Sequence, residues 1–289
     1  MTMSAGVTGA RTDAGVGASG AINIRNVSKT YDPLGVNVLA VDNCSVDIAA
    51  GEFCVVVGPS GCGKTTLLNA IAGFHDISQG EILLDNNPIC TPSHTSPPGA
   101  DRMVVFQNGA LFPWSTIISN VAYGPTVQGK LSARDARNQA QNLLAELGLP
   151  EIGDRYPNEL SSGMRRRVEI ARALINDPTV LLLDEPFRAM DALTKSVAQE
   201  FLLQVYDKVR KTVFFITHDL EEALFLADRV LVMTTRPGRI KYALNIDFER
   251  PRNFHMRSSK RYLELKSEVF SAVREEAAKA FEAGERELA

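Results

Sequence analysis

Residues 53–67 read FCVVVGPSGCGKTTL: five apolar residues, a glycine-rich turn with a single lysine, and the start of an apolar helical pattern. The turn, GPSGCGKT at 58–65, fits G-x-x-x-x-G-K-[ST] and has the context that pattern requires, an apolar strand before it and a helix after it. Gly58, Gly61 and Gly63 let the backbone turn its N–H groups toward an anion without interference from a Cβ, and Pro59, Ser60 and Cys62 occupy the positions between them. Cys62 reads as the filler of a permissive loop position. The following helix adds the positive potential of its N-terminus. Lys64 is suited to bridge the β- and γ-phosphates of a nucleotide and the Thr65 hydroxyl to ligate Mg2+, with Thr66 beside them.

Before this stretch, the runs INIRNV, NVLAV and SVDI are separated by the turn-rich DPLG and AAGE, which reads as several strands. After it, TTLLNAIAG reads as a helix closed by Gly73. EILLD and RMVVFQ then read as strands around a polar, proline-containing insertion, NNPICTPSHTSPPGAD. From about residue 108 to 162 the character changes. LSARDARNQAQNLLAELGL is an amphipathic helix with Ala136, Ala140, Leu143, Leu144 and Leu147 at helical spacing, and no strand candidate interrupts the region. This predicts a helical subdomain.

Strand and helix patterns then alternate: a helix through VEIARALI, strand VLLLD, a helix from Leu193 to Val209, strand TVFFIT, helix DLEEALFLADR, strand VLVM. Such alternation predicts a mostly parallel sheet covered by helices, an α/β fold. GRIKYALNIDFERP looks like an edge hairpin. Beyond it, Ser259 is placed to cap a final helix whose Tyr262, Leu265, Val269, Val273 and Phe281 share one face. The predicted division is a disordered tail at 1–20, one main domain at 21–240, and a C-terminal segment at 241–289.

Polar residues end three of the apolar strands, where an open parallel sheet delivers side chains to a ligand. VLLLDE places Asp184 to hold Mg2+ through water and Glu185 to polarise a hydrolytic water. His218 follows TVFFIT and opens a helix. Gln107 ends RMVVF, where its amide can reach Mg2+ or the attacking water. An acidic pair after a strand is more often a cap or a turn, and a lone histidine there more often structural. The phosphate loop and the shared strand-end position favour the catalytic reading of all three.

The bulk numbers narrow the class. With 45% hydrophobic residues among 289 the chain has ample material for a packed core, and a net charge of -3 argues against a surface built wholly for nucleic acid. Three consecutive arginines, Arg165 to Arg167, therefore need a local explanation. Cys44, Cys54, Cys62 and Cys90 form no CxxC pair, so reduced thiols are the simplest reading. The first twenty residues are rich in Gly, Ala, Ser and Thr and lack the apolar core of a secretory signal. No apolar run approaches the roughly 18 residues of a membrane span.

Taken in order, these motifs resemble those of the ATP-binding-cassette ATPases, over residues 22 to about 240. The resemblance implies a mostly parallel core sheet, an antiparallel β subdomain and an inserted α-helical subdomain. It implies that Tyr31 stacks on adenine, Gln107 is the Q-loop, LSSGM at 160–164 the signature, Asp184 and Glu185 the acidic strand-end pair, residues 189–191 the D-loop and His218 the switch histidine. In that family the signature helix points its N-terminus at the γ-phosphate of ATP on the opposite subunit. Ser161 and the backbone around Gly163 are then phosphate ligands in trans, and the chain works as a dimer with an identical or paralogous partner.

Some positions depart from the usual pattern. Ser162 replaces the first glycine of LSGGQ, at about 1 kcal/mol if that position is left-handed. Met164 replaces glutamine, Arg166 stands where glutamine is frequent, and Arg188 with Met190 replaces a small residue and leucine.

LFPWSTIISNVAYG, LSSGMRRRVEIARAL, DEPFRAMDALT and HDLEEALFLADRVLVMTTRPGRI look most like the ATPases of nitrate, sulfonate and taurine importers, a subgroup that includes importers of thiamine precursors. That implies ATP and Mg2+ as cofactors, and a place on the cytoplasmic face of the inner membrane against permease subunits, fed indirectly by an extracytoplasmic binding protein. Phe112, Pro113 and Trp114 would line a groove for a short permease helix, the alternative being core packing. A cassette acting on DNA or ribosomes, or a P-loop small-molecule kinase, is the competing class. The single phosphate loop disfavours the first and LSSGM the second.

Overall fold

The computed structural model describes residues 19–32 and 35–282. The strand that leads into the glycine turn, β3 (Phe53–Val57), lies inside a six-stranded sheet. Its parallel neighbours are β10 (Arg229–Met233) and β9 (Thr212–Ile216), and β8 (Val180–Asp184) and β7 (Arg102–Val105) continue the parallel set. The order is β11-β10-β3-β9-β8-β7, with β11 (Ile240–Asn245) antiparallel at the edge; the stretch read as an edge hairpin supplies this one strand, and its hairpin partner is β10.

Both faces of this sheet are covered, which is why its strands read as unbroken apolar runs. Side chains alternate between the faces. Phe53, Val55, Val57, Leu181, Leu183, Val213 and Phe215 join one core, while Cys54, Val56, Val180, Leu182, Phe214 and Ile216 join the other. Each large apolar side chain so buried contributes about 1.5–3 kcal/mol, so a charge at Val55 or Val56 would break the centre of the fold.

The second core is closed by α1 (Lys64–Ala72) and an antiparallel five-stranded sheet. That sheet runs β2 (Val38–Ile48), β1 (Ile22–Tyr31), β4 (Gln79–Leu84), β5 (Asn87–Thr91), β6 (His94–Thr95). The last two come from the segment read as a polar insertion. Its prolines and polar residues show no alternating pattern, and pairing with β4, which buries Ile89 and Cys90, recruits it into the sheet.

The first core is covered by helices. α2 (Ile117–Val127), α3 (Ala133–Glu146) and α4 (Ser162–Leu174) pack on one another, α3 starting from a cap in which Ser132 accepts the Asp135 N–H. Ala136, Ala140 and Leu144 are fully buried, as the helical spacing predicted. α5 (Ala192–Val209) and α6 (Leu220–Leu226) follow β8 and β9, and α7 (Lys260–Glu282) packs on α6. No helix among the described residues is long and apolar enough to cross a membrane.

Two expectations change. Residues 1–18 of the predicted tail lie outside the described residues, but Gly20 is pinned by Asp85, whose Oδ1 and Oδ2 accept its N–H at 2.8 and 2.9 Å. On α7, Ser259 Oγ does accept the Tyr262 N–H at 3.2 Å, and Tyr262, Leu265 and Val269 are buried. Val273 is only half-buried, however, and Phe281 is 81% exposed. The inner stripe continues through Glu276 and Ala280, one residue before Phe281 and so about 100° away round the helix.

Candidate nucleotide site

The parallel strands end on one edge, which gathers residues 58–65 after β3, 106–107 after β7, 184–185 after β8 and 217–218 after β9. Gly61 and Gly63 have φ of 75° and 95°. A Cβ on Gly63 would lie 2.8 Å from Ala40 O, so both conformation and space demand glycine there. Lys64 is buried at the centre of the turn, its Nζ donating to Gly58 O and Pro59 O, each at 2.8 Å.

Cys62 is no filler. It is fully buried in the second core, and a Cβ on Gly58 would sit 2.9 Å from its Sγ. Burial pushes its thiol pKa up, against the opposing charge of Lys64, so the group stays protonated at neutral pH. All four cysteines are free and buried.

The acidic strand end faces the start of α1. Thr65 Oγ1 lies 3.3 Å from Asp184 Oδ2. Burial, and then the neighbouring charge of Glu185, raise the Asp184 pKa, with Thr65 and Lys64 opposing. Two hard oxygen donors, the Thr65 hydroxyl and the Asp184 carboxylate, meet here, and the carboxylate gains from a nearby cation. Among the described residues no three acidic, histidine or cysteine groups form a metal cage. This donor set fits Mg2+, which keeps several waters and completes its shell with phosphate oxygens.

Glu185 holds a left-handed φ of 42°, fixed by its N–H bond to Ile216 O at 3.0 Å. Such strain costs about 1–3 kcal/mol and persists only where surrounding structure imposes it. It brings Oε2 to 3.1 Å from His218 Nδ1 and 3.5 Å from Arg188 Nη1. Oε1 has no hydrogen-bond partner among the described residues and can accept a proton from a water. Gln107 stands one strand over from Asp184, its carbonyl accepting from Arg166 Nη2 at 2.9 Å. At the other side of the phosphate loop, Tyr31 at the end of β1 has its hydroxyl 3.5 Å from Thr66 Oγ1 and its ring edge-on to His75.

Ser161 and Gly163 stand apart from this group: no hydrogen bond among the described residues connects them to 58–66. Ser161 Oγ caps α4 by accepting the Met164 N–H at 3.3 Å. Ser162 is the first residue of α4 and not one of the left-handed residues, so the strain considered for it does not arise. Gly163 is buried, and a Cβ there would come 2.8 Å from Thr194 Cγ2.

The arginine run is spent within the chain. Arg165 Nη1 donates to Leu160 O at 2.8 Å, Arg166 Nη1 to Phe106 O at 2.7 Å, and Arg167 lies 4.9 Å from the centre of the Phe201 ring. Arg166 thus holds the two successive carbonyls of Phe106 and Gln107, a role that only the folded chain reveals, since those residues lie some 60 positions away. Beside this loop, Phe112 stacks on Trp114 with centroids 5.5 Å apart and meets Tyr123 edge-on at 5.0 Å, with Arg172 4.1 Å from its centroid. Trp114 is 74% exposed, so the cluster is a surface feature and not core.

The family whose description is ABC transporter matches residues 41–188. The chain is 50% identical to the taurine import ATP-binding protein TauB of Rhizobium johnstonii over 216 residues, 75% of this chain and 80% of that protein. It is 42% identical to the nitrate import ATP-binding protein NrtD of Synechococcus elongatus over 254 residues, 87% of this chain and 90% of that one. A bacterial ABC transporter cassette solved as a dimer superposes with a TM-score of 0.67 at 31% identity, covering 79% of this chain and all of that one. A glycine-rich turn, an acidic strand end and a histidine on one sheet edge, in a chain so similar to these proteins, place it in the ABC transporter family as an ATP-binding and ATP-hydrolysing cassette.

Proposed function

We propose that the chain is the ATPase subunit of an importer for a small solute: nitrate, a sulfonate, taurine, a similar small organic anion or a thiamine precursor. It works with Mg2+, held by Thr65 and Asp184 with Gln107 beside them. Mg2+ supplies charge neutralisation of the phosphates when bound. Residues 58–66 cradle the triphosphate with backbone N–H groups and Lys64, and Tyr31 stacks on the adenine. Glu185 Oε1 takes a proton from the attacking water while His218 holds Oε2.

The observation that carries this reading is the convergence of Lys64, the Thr65–Asp184 pair and the His218–Glu185 pair on one edge of the parallel sheet. The second half of the site comes from a second cassette, identical or paralogous. The N–H groups of Ser162 and Gly163, at the start of α4 behind the Ser161 cap, meet the γ-phosphate of the opposite subunit. The exposed Trp114 and Tyr123, packed around half-buried Phe112, support docking of an apolar helix from a permease subunit, which holds the chain on the cytoplasmic face of the membrane. An extracytoplasmic binding protein delivers the solute to that permease.

The test is purification of the chain with its permease and binding protein, followed by mass spectrometry of the retained solute and assay of ATPase stimulation by it. A retained cation or peptide, or stimulation by neither sulfonate, nitrate nor thiamine precursor, would sink the substrate class.

A further inference from the structure

The turn between β10 and β11 touches the phosphate loop, although the roles above make no use of it. Arg236 Nε donates to Gly61 O at 3.2 Å, and its guanidinium occupies the space beside Gly61, where a Cβ would come within 3.0 Å of Nη2. Two residues on, Gly238 packs so closely that a Cβ would collide with Cys62 O. The turn is itself fixed from several sides. Thr234 Oγ1 donates to Pro237 O at 2.8 Å and accepts the Arg239 N–H at 2.9 Å. Gly238 N donates to Ala40 O at 3.0 Å, and Asp42 N to Gly238 O at 2.9 Å. Arg239 pairs with Asp42, Nε to Oδ2 at 3.0 Å. From the far side, the buried Glu276 of α7 accepts the Thr235 N–H at 3.1 Å.

We infer that the 234–239 turn is a clamp on the phosphate loop, and that Arg236 is a positioning residue for ATP binding. The Gly61–Cys62 peptide is planar, so holding the Gly61 carbonyl also fixes the direction of the Cys62 N–H, which donates to Pro59 O at 3.4 Å and closes the loop on itself. Gly61, with φ of 75°, is one of the conformationally freest positions in the loop and gains most from such a hold. The guanidinium also adds a positive charge beside the triphosphate cradle. Its grip is braced by α7 through Glu276, which ties the C-terminal segment to the nucleotide site.

This inference rests on residues 58–65 being the nucleotide loop, and the test separates the two claims. ATP affinity is measured by titration calorimetry with Mg2+ on the full chain, together with KM and kcat, for wild type, Arg236→Ala, Arg236→Lys and Lys64→Ala. Arg236 is exposed, so its removal leaves the melting temperature without nucleotide unchanged. Arg236→Ala is expected to weaken ATP binding by roughly three- to tenfold, the loss of one charge-assisted hydrogen bond, with the defect in KM and not in kcat, and Arg236→Lys to recover part of it. Unchanged affinity in Arg236→Ala beside a clear loss in Lys64→Ala overturns the clamp and leaves the loop assignment standing. Unchanged affinity in Lys64→Ala overturns the loop assignment itself. A fall in kcat with KM unchanged also overturns the clamp.

Discussion

Nδ1 of His218 stands 3.1 Å from Oε2 of Glu185, and the two residues leave neighbouring parallel strands, β9 and β8. Their meeting is produced by register. Asp184 pairs with Ile216, and the backbone N–H of Glu185 bonds back to Ile216 O, so the carboxylate is turned toward the residue two positions further along the next strand's exit.

Glu185→Gln keeps the size and the contact to His218 but removes the negative charge. Hydrolysis is expected to fall by about a hundredfold or more, the range of a lost general base, with ATP affinity retained. Single-turnover kinetics beside calorimetry check both halves. Turnover at the wild-type rate would remove Glu185 from the chemistry.

Asp184 gives a pH prediction with a definite sign. Its folded pKa is raised, so its favourable contribution to stability is full below the ordinary carboxylate range and is lost as pH rises through the raised value. Near neutral pH, without Mg2+, the ionised buried carboxylate is a cost. Asp184→Asn is therefore expected to melt no lower than wild type at pH 7.5 in EDTA, yet to lose the extra stabilisation that ATP gives when Mg2+ is added. A lower melting point in EDTA at that pH would contradict the assignment of cause.

Ser161→Arg puts bulk and charge at the tip of α4. Loss of the cap costs on the order of 1 kcal/mol, little against a domain's total stability. ATP affinity of the isolated chain should remain near wild type while hydrolysis and ATP-dependent dimerisation both drop. Light scattering with ATP on a Glu185→Gln background reads the dimer. Undiminished dimerisation would mean that this helix tip does not face a partner's nucleotide.

Trp114 is mostly exposed, so Trp114→Ala should change folding stability by no more than about 0.5 kcal/mol. Permease capture should weaken and solute-stimulated ATPase activity fall, with basal ATPase activity of the free chain unaltered. Full co-purification of the variant with the permease would assign the docking surface elsewhere.

Local sequence carried much of the fold and site. GPSGCGKT after FCVVV specified a strand, a glycine-rich turn and a helix, because glycine spacing and apolar burial are encoded in neighbouring residues. Alternating apolar strands and amphipathic helices specified a parallel sheet, and position at strand ends singled out Asp184, Glu185, His218 and Gln107. The helical pattern of α3 was legible because its buried positions repeat every three or four residues.

What only the tertiary structure decided were relationships between distant residues. The β5 and β6 strands form because β4 offers backbone partners, which no local pattern announces. Cys62 became core and Phe281 surface because burial depends on what packs opposite, not on residue type alone. The arginines at 165–167 found carbonyls and a ring, and Arg236 found Gly61 across 175 residues of chain. Hydrogen bonds and close contacts act over a few ångströms, so their partners exist only once the sheet has brought separate stretches of chain together.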